Sequence, residues 1–130
     1  MSYDNPISIN HQFSVSDFGD GSDDVRYLQG PSGLKGNLRS ISVETREVFA
    51  TDSKTAKVHV GTATDADAYG ALIIPDGTAD NTVFNESDDT DAIISAAIPA
   101  DSLVVVTQIF GEDASAVTGQ GVVSVVIDWY

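Results

Sequence analysis

Apolar and polar residues alternate most clearly in two stretches. Over residues 121–130 (GVVSVVIDWY), Val123, Val125, Ile127 and Trp129 share one face at a period of two, and Val122, Ser124, Val126, Asp128 and Tyr130 share the other. The first set predicts a core-facing side. Over residues 6–15, Ile7, Ile9, His11, Phe13 and Val15 fall on one face and Ser8, Asn10, Gln12 and Ser14 on the other, which predicts a half-buried strand. Residues 103–110 (LVVVTQIF) are nearly apolar on both faces. Taken with 121–130 they predict a closing strand pair that needs cover on two sides, the second cover being another subunit.

The remaining elements are shorter. Residues 25–28 and 71–74 are apolar pieces, and 57–61 (KVHVG) predicts a strand with Val58 and Val60 inward. Residues 38–50 place Ile41, Val43 and Phe49 on one strand face, while Ile41, Thr45 and Val48 also fit a helical stripe. β-Branched residues alternating with Ser40, Ser42 and Glu44 favour the strand, with a bulge where the phase changes near Val48. Residues 64–70 (TDADAYG) offer an N-cap, an acidic first turn and a closing glycine, which predicts one helical turn. Residues 92–98 favour a strand by their length and by Pro99. Turn chemistry fills the intervals at 16–24 (SDFGDGSDD), 29–37 (QGPSGLKGN), 75–77 and 85–91 (NESDDTD). About eight short strands at this spacing predict an all-β fold: a single domain over residues 1–130, an antiparallel β-sandwich, jelly-roll-like, with at most one helical turn. A partly closed barrel fits the same pattern.

Charge narrows the partners. Six basic residues stand against twenty acidic ones, a formal charge of -14. That field repels phosphate backbones and anionic lipid, so neither nucleic acid nor a membrane surface is expected as a partner. The chain has no cysteine, which excludes disulfides and thiolate chemistry. The first ten residues carry no basic region and no apolar run, so no secretory signal is expected. The longest apolar run falls far short of the roughly 20 residues of a membrane helix. Asn85-Glu86-Ser87 matches the glycosylation sequon, which without export is read as chance.

Several residue groups invite a chemical reading. Asp17, Asp20, Asp23 and Asp24 form the densest acidic cluster, and calcium takes six to eight oxygens of this kind. The spacing fails the EF-hand pattern, so calcium here is a weak candidate beside a solvated loop. Glu86, Asp88, Asp89 and Asp91 form a second, weaker one. A glycosidase needs two carboxylates in one cleft, and among twenty acids no pair stands out. Residues 30–36 (GPSGLKG) lack the GK[ST] ending of a phosphate loop, which leaves a tight loop whose Lys35, with Arg39, forms a basic spot for an acidic partner. His11, on an apolar face, is read as a core or interface histidine; His59, on a polar face, is read as exposed. Trp129 is read as core. Val122, Val126 and Tyr130 are the candidates for a subunit contact, tyrosine being suited to a surface that is part wet. No catalytic residue and no cofactor is assigned.

Residues 25–49 (VRYLQGPSGLKGNLRSISVETREVF), 57–77 (KVHVGTATDADAYGALIIPDG) and 98–130, closing on VVIDWY, resemble small β-rich structural proteins of tailed bacteriophages, above all the head decoration or cement proteins. The resemblance is one of texture over most of the chain: a glycine-proline loop before a long strand, a VGTAxDAxxYG turn and a VVIDW closing strand. It implies a β-sandwich or jelly-roll subunit, commonly a homotrimer, made in the host cytoplasm and bound to the major capsid protein on the outer surface of the virion. The alternative is a phage tail or fibre-associated binding module recognising a host glycan, with calcium in the loop around Asp20. A hydrolase using paired carboxylates is the third.

Overall fold

The computed structural model describes residues 6–18, 24–49, 56–109 and 119–130. Its strands are β1 (Ile7–Gln12), β2 (Ser16–Asp17), β3 (Asp24–Leu28), β4 (Gly36–Thr45), β5 (Ala56–Gly61), β6 (Gly70–Ile74), β7 (Val83–Asn85), β8 (Ala97–Ile98), β9 (Val104–Ile109) and β10 (Gln120–Trp129). One sheet runs β1-β10-β4-β7, with β2 added against β10 and β8 against β4, and the other runs β3-β9-β5-β6. Every pairing is antiparallel.

Take β1, β3, β4, β5, β6, β7 with β8, β9 and β10 as eight successive strands. The first, eighth, third and sixth then form one sheet, and the second, seventh, fourth and fifth form the other. This is the strand order of a jelly roll, two interlocked Greek keys folded into a sandwich. The all-β sandwich expectation therefore holds, and β2 and β8 are two-residue additions to it.

Alternation decides which side of each strand is core. Val123, Val125, Ile127 and Trp129 of β10 are buried in the same cluster as Ile41 and Val43 of β4, Val58 and Val60 of β5, Leu72 and Ile74 of β6, and Val104 and Val106 of β9. The inward prediction for β10 and β5 is met. β1 is the edge strand beside β10, registered with Ile7 opposite Trp129 and His11 opposite Val125. Its apolar face is only half covered, and Ile7 is exposed.

Five expectations are corrected. Residues 103–110 and 121–130 do not pair: β9 lies in one sheet and β10 in the other, each central between two neighbours. They face each other through the core. The phase change of the long strand comes at Arg39 rather than near Val48, because Val126 registers with Ser40 and Ile127 with Leu38, leaving Arg39 as the extra residue of a bulge. Both Leu38 and Ile41 consequently point inward. Residues 64–70 form no helix; the chain turns back on itself, with Thr62 N and Ala68 N both donating to the carbonyl of Asp65. Residues 92–98 are mostly irregular, with only Ala97–Ile98 in a strand and Ile93 in an isolated bridge to Gly70. In 16–24, Ser16–Asp17 pairs with β10, and Phe18 is buried against Phe49 with ring centroids 5.2 Å apart.

Candidate functional site

The second acidic cluster is a set of backbone caps. Glu86 Oε2 accepts from Ser40 Oγ at 3.0 Å and from Ile41 N at 3.3 Å, so it ties the loop to the residues that follow the Arg39 bulge. Asp89 Oδ2 accepts from Ile73 N at 3.0 Å on the open edge of β6, and its other oxygen accepts from Asp91 N. Asp88 Oδ2 accepts from Asn85 N. A buried N–H without a partner costs about 1–3 kcal/mol, so the part-buried Glu86 bonds matter most to the fold, while the exposed Asp88 and Asp89 bonds order the loop locally. Beside them Ile73, Pro75 and Phe84 join Asp88 and Asp89 around a shallow depression of about 280 Å³.

For the first cluster, Asp20 and Asp23 lie outside the described residues. Asp17 pairs through its backbone with Gln120, and Asp24 opens β3 opposite Gln108. Among the described residues no group of three or more His, Cys, Asp or Glu side chains gathers as a metal site. Gln108 carries its amide to the inner face of β9, buried, with neither amide atom hydrogen-bonded among the described residues.

The glycine-proline loop turns out to cradle a tryptophan. A Cβ built on Gly30 would lie 2.4 Å from the Trp129 ring, and one on Gly36 would lie 2.8 Å from it. Lys35 and Tyr130 exchange backbone hydrogen bonds, fastening the loop to the end of β10. The N–H of Gly33, which has φ of 78°, donates to Asp101 Oδ1 at 2.7 Å. An amide that a phosphate would take is thus already held by a carboxylate of the chain. Arg39 reaches across to Asp128 at 3.3 Å, so the basic spot read from Lys35 and Arg39 keeps only Lys35 outside an ion pair.

His11 is half-buried at the β1 edge, where Trp129 Nε1–H donates to its Nε2 at 3.4 Å with the rings edge to face. Accepting at Nε2 fixes the neutral ring with its proton on Nδ1. Desolvation by the surrounding strands lowers its pKa below 6.5. His11 thus lies half-buried at the rim of the core rather than inside it. His59 is half-buried on the outer side of β5 rather than fully exposed, registered between Thr107 and Ala71.

Of the candidate contact residues, Val122 on β10 is only 7% exposed within one chain, flanked by β4 with Glu44 in register, while Val126 on β10 and Tyr130 just after it are half-buried. The outer side of this sheet otherwise mixes hydroxyl and amide side chains (Ser8, Asn10 and Gln12 on β1, Ser124 on β10, Ser40 and Ser42 on β4) with the charged Arg39, Glu44 and Asp128 and with Val83 of β7, which is exposed. The outer side of the other sheet differs. Register places Val25-Thr107-His59-Ala71 in one row, Ile109-Lys57-Ile73 in the next, and Tyr27-Val105-Gly61 in the third. Tyr27 is 63% exposed, and Val25 and Ile73 are also open, whereas the backbone of Asp65 and Ala66 folds over Gly61. No sequence signal separated these two outer sides, because each strand shows its alternation without showing which sheet it joins.

No protein-family model matches the chain, and no curated protein matches it.

Proposed function

We propose that this chain is a non-enzymatic structural subunit of a tailed-phage virion, one that decorates the outer surface of the capsid, binds the major capsid protein and associates with its own copies. The observation that carries the reading is the jelly-roll strand order, an architecture that recurs in viral shell proteins and also serves lectins and cupins. Two features favour the shell among these uses. The interior is filled by aliphatic and aromatic side chains from both sheets. The acids Glu47, Glu86, Asp89 and Asp101 accept backbone N–H bonds across long sequence separations, work that stiffens loops. A charge of -14 suits a position outside the shell, away from the packaged genome.

The test is cryo-electron microscopy of virions whose genome encodes this chain. The expected result is a jelly-roll density on the outer shell at capsomer contacts. Particles that carry the chain only in the tail, or not at all, overturn the reading.

A further inference from the structure

We infer that the outer side of the β3-β9-β5-β6 sheet is a self-association face, which a second copy of this chain covers by packing the same sheet against it. The inference rests on the proposal that the chain is an assembling subunit, and it adds the surface and the symmetry.

The ten outward positions of this sheet hold no carboxylate and a single lysine, Lys57, in a chain with twenty acids. Tyr27, Val25 and Ile73 are open and Ile109 and Ala71 half-buried, so the accessible part of this side is mainly apolar, Val105 being already covered within one chain. The opposite sheet presents mostly hydroxyls and amides, its apolar residues being Val83 at the β7 edge and the half-buried Val126, and it carries the carboxylates Asp128 and Glu44, in ion pairs with Arg39 and Arg46. Most of the remaining acids in the described residues lie in turns, at Asp65, Asp67, Asp76, Asp80, Asp88, Asp89, Asp91 and Asp101. Two copies therefore repel when turns approach turns, and meet without stacking carboxylate on carboxylate when this sheet faces its own copy. A basic foreign partner would be drawn to the acidic turns, and this face offers it nothing. The second copy is the occupant that charge permits.

Four strands at about 4.8 Å and three rows of side chains give roughly 400 Å² in projection. Standard-sized complexes bury about 800 Å² per partner, so the contact is weak and depends on concentration. An isologous contact of this kind gives two-fold pairs, in place of the trimer that the family resemblance implies. Salt strengthens it, because screening relieves the repulsion between two chains of -14 while leaving apolar contact intact.

Sedimentation velocity of the full chain, at rising concentration in low and in high salt, tests this. The expected result is a dimer that grows with salt. Tyr27→Asp and Val25→Asp abolish it while keeping the circular dichroism and melting of the parent, and Asn10→Asp, which adds the same charge to the other outer side, leaves it intact. A parent that stays monomeric, a trimer, a dimer that Tyr27→Asp and Val25→Asp leave intact, or equal dissociation by Asn10→Asp overturns the inference. Self-association untouched by Tyr27→Asp would sink this face alone, since an assembling subunit would then be using another contact; chain seen on virions despite a monomer in solution would do the same.

Discussion

The indole of Trp129 and the imidazole of His11 meet edge to face at the rim of the core, with the indole N–H pointing at Nε2 across 3.4 Å. Protonation of His11 would replace that acceptor with a second donor. Burial already lowers the folded-state pKa below the unfolded value of 6.5. A depressed pKa means the unfolded chain binds the proton more readily. The contribution is therefore complete above 6.5 and is lost as pH falls through the folded value. Melting temperature should drop as pH is lowered through that window, and His11→Phe should flatten the slope. NMR titration of the His11 ring, followed beside the Trp129 indole N–H, checks the assignment: both signals should move together, with a midpoint below that of free histidine.

Gly30 and Gly33 sit in one loop and should respond to alanine for different reasons. At Gly30 the new Cβ lies 2.4 Å from the buried Trp129 ring, and overpacking of this kind costs about 1–3 kcal/mol. At Gly33 nothing lies within 4 Å, but φ is 78°, which costs an alanine about 1–2 kcal/mol. Both variants should be less stable in urea. Only Gly30→Ala should shift the tryptophan emission of the folded state.

Glu86 reaches from one loop to the strand after the bulge, so its loss should be felt there. Glu86→Ala leaves Ile41 N and Ser40 Oγ without their acceptor, at about 1–3 kcal/mol. Glu86→Gln keeps an acceptor oxygen and should recover most of the loss. Hydrogen exchange should show the amide of Ile41 opening faster in the alanine variant and close to normal in the glutamine one.

Thr45 ends β4 fully buried, and its hydroxyl lies 2.7 Å from Ala79 O while accepting from Thr82 N at 3.0 Å. Thr45→Val preserves shape but strands the Thr82 amide, while Ala79 O keeps the Thr82 hydroxyl as donor, with an expected loss of about 1–3 kcal/mol in urea unfolding. Thr45→Ser should restore the bonds, giving a smaller deficit. Equal loss in both variants would show that the methyl group matters more than the hydroxyl.

The parity of β10, β5 and β1 was legible in the sequence, since a period of two is visible wherever one face is core. What it hid was sheet membership. β9 is nearly apolar on both faces, and Val105 on its outer side is only 6% exposed within one chain. A residue already covered by its own chain reads like one that needs a partner, hence the expected hairpin with β10. The Arg39 bulge was misplaced for a related reason: Leu38 and Ile41, three apart, both point inward, a spacing that also suits a helix. The N-cap signal expected at Thr64 misled: Thr62, two residues earlier, is the one whose hydroxyl accepts from Asp65 N, at 3.0 Å, and the turn closes over Gly61 instead of starting a helix. The acidic loop looked like a cation site because side-chain oxygens are countable in sequence, while the amides that occupy them come from Ile41 and Ile73, far along the chain.

Ile7 and Trp129 stand side by side as partners in adjacent strands, so the first and last strands leave the sandwich at one corner. Antiparallel neighbours lie about 5 Å apart at such a pair. A short peptide run from Trp129 to Ile7 would therefore close the strands into a ring, and the ring could then be opened in the exposed turn at Asp76 and Gly77 without cutting either sheet.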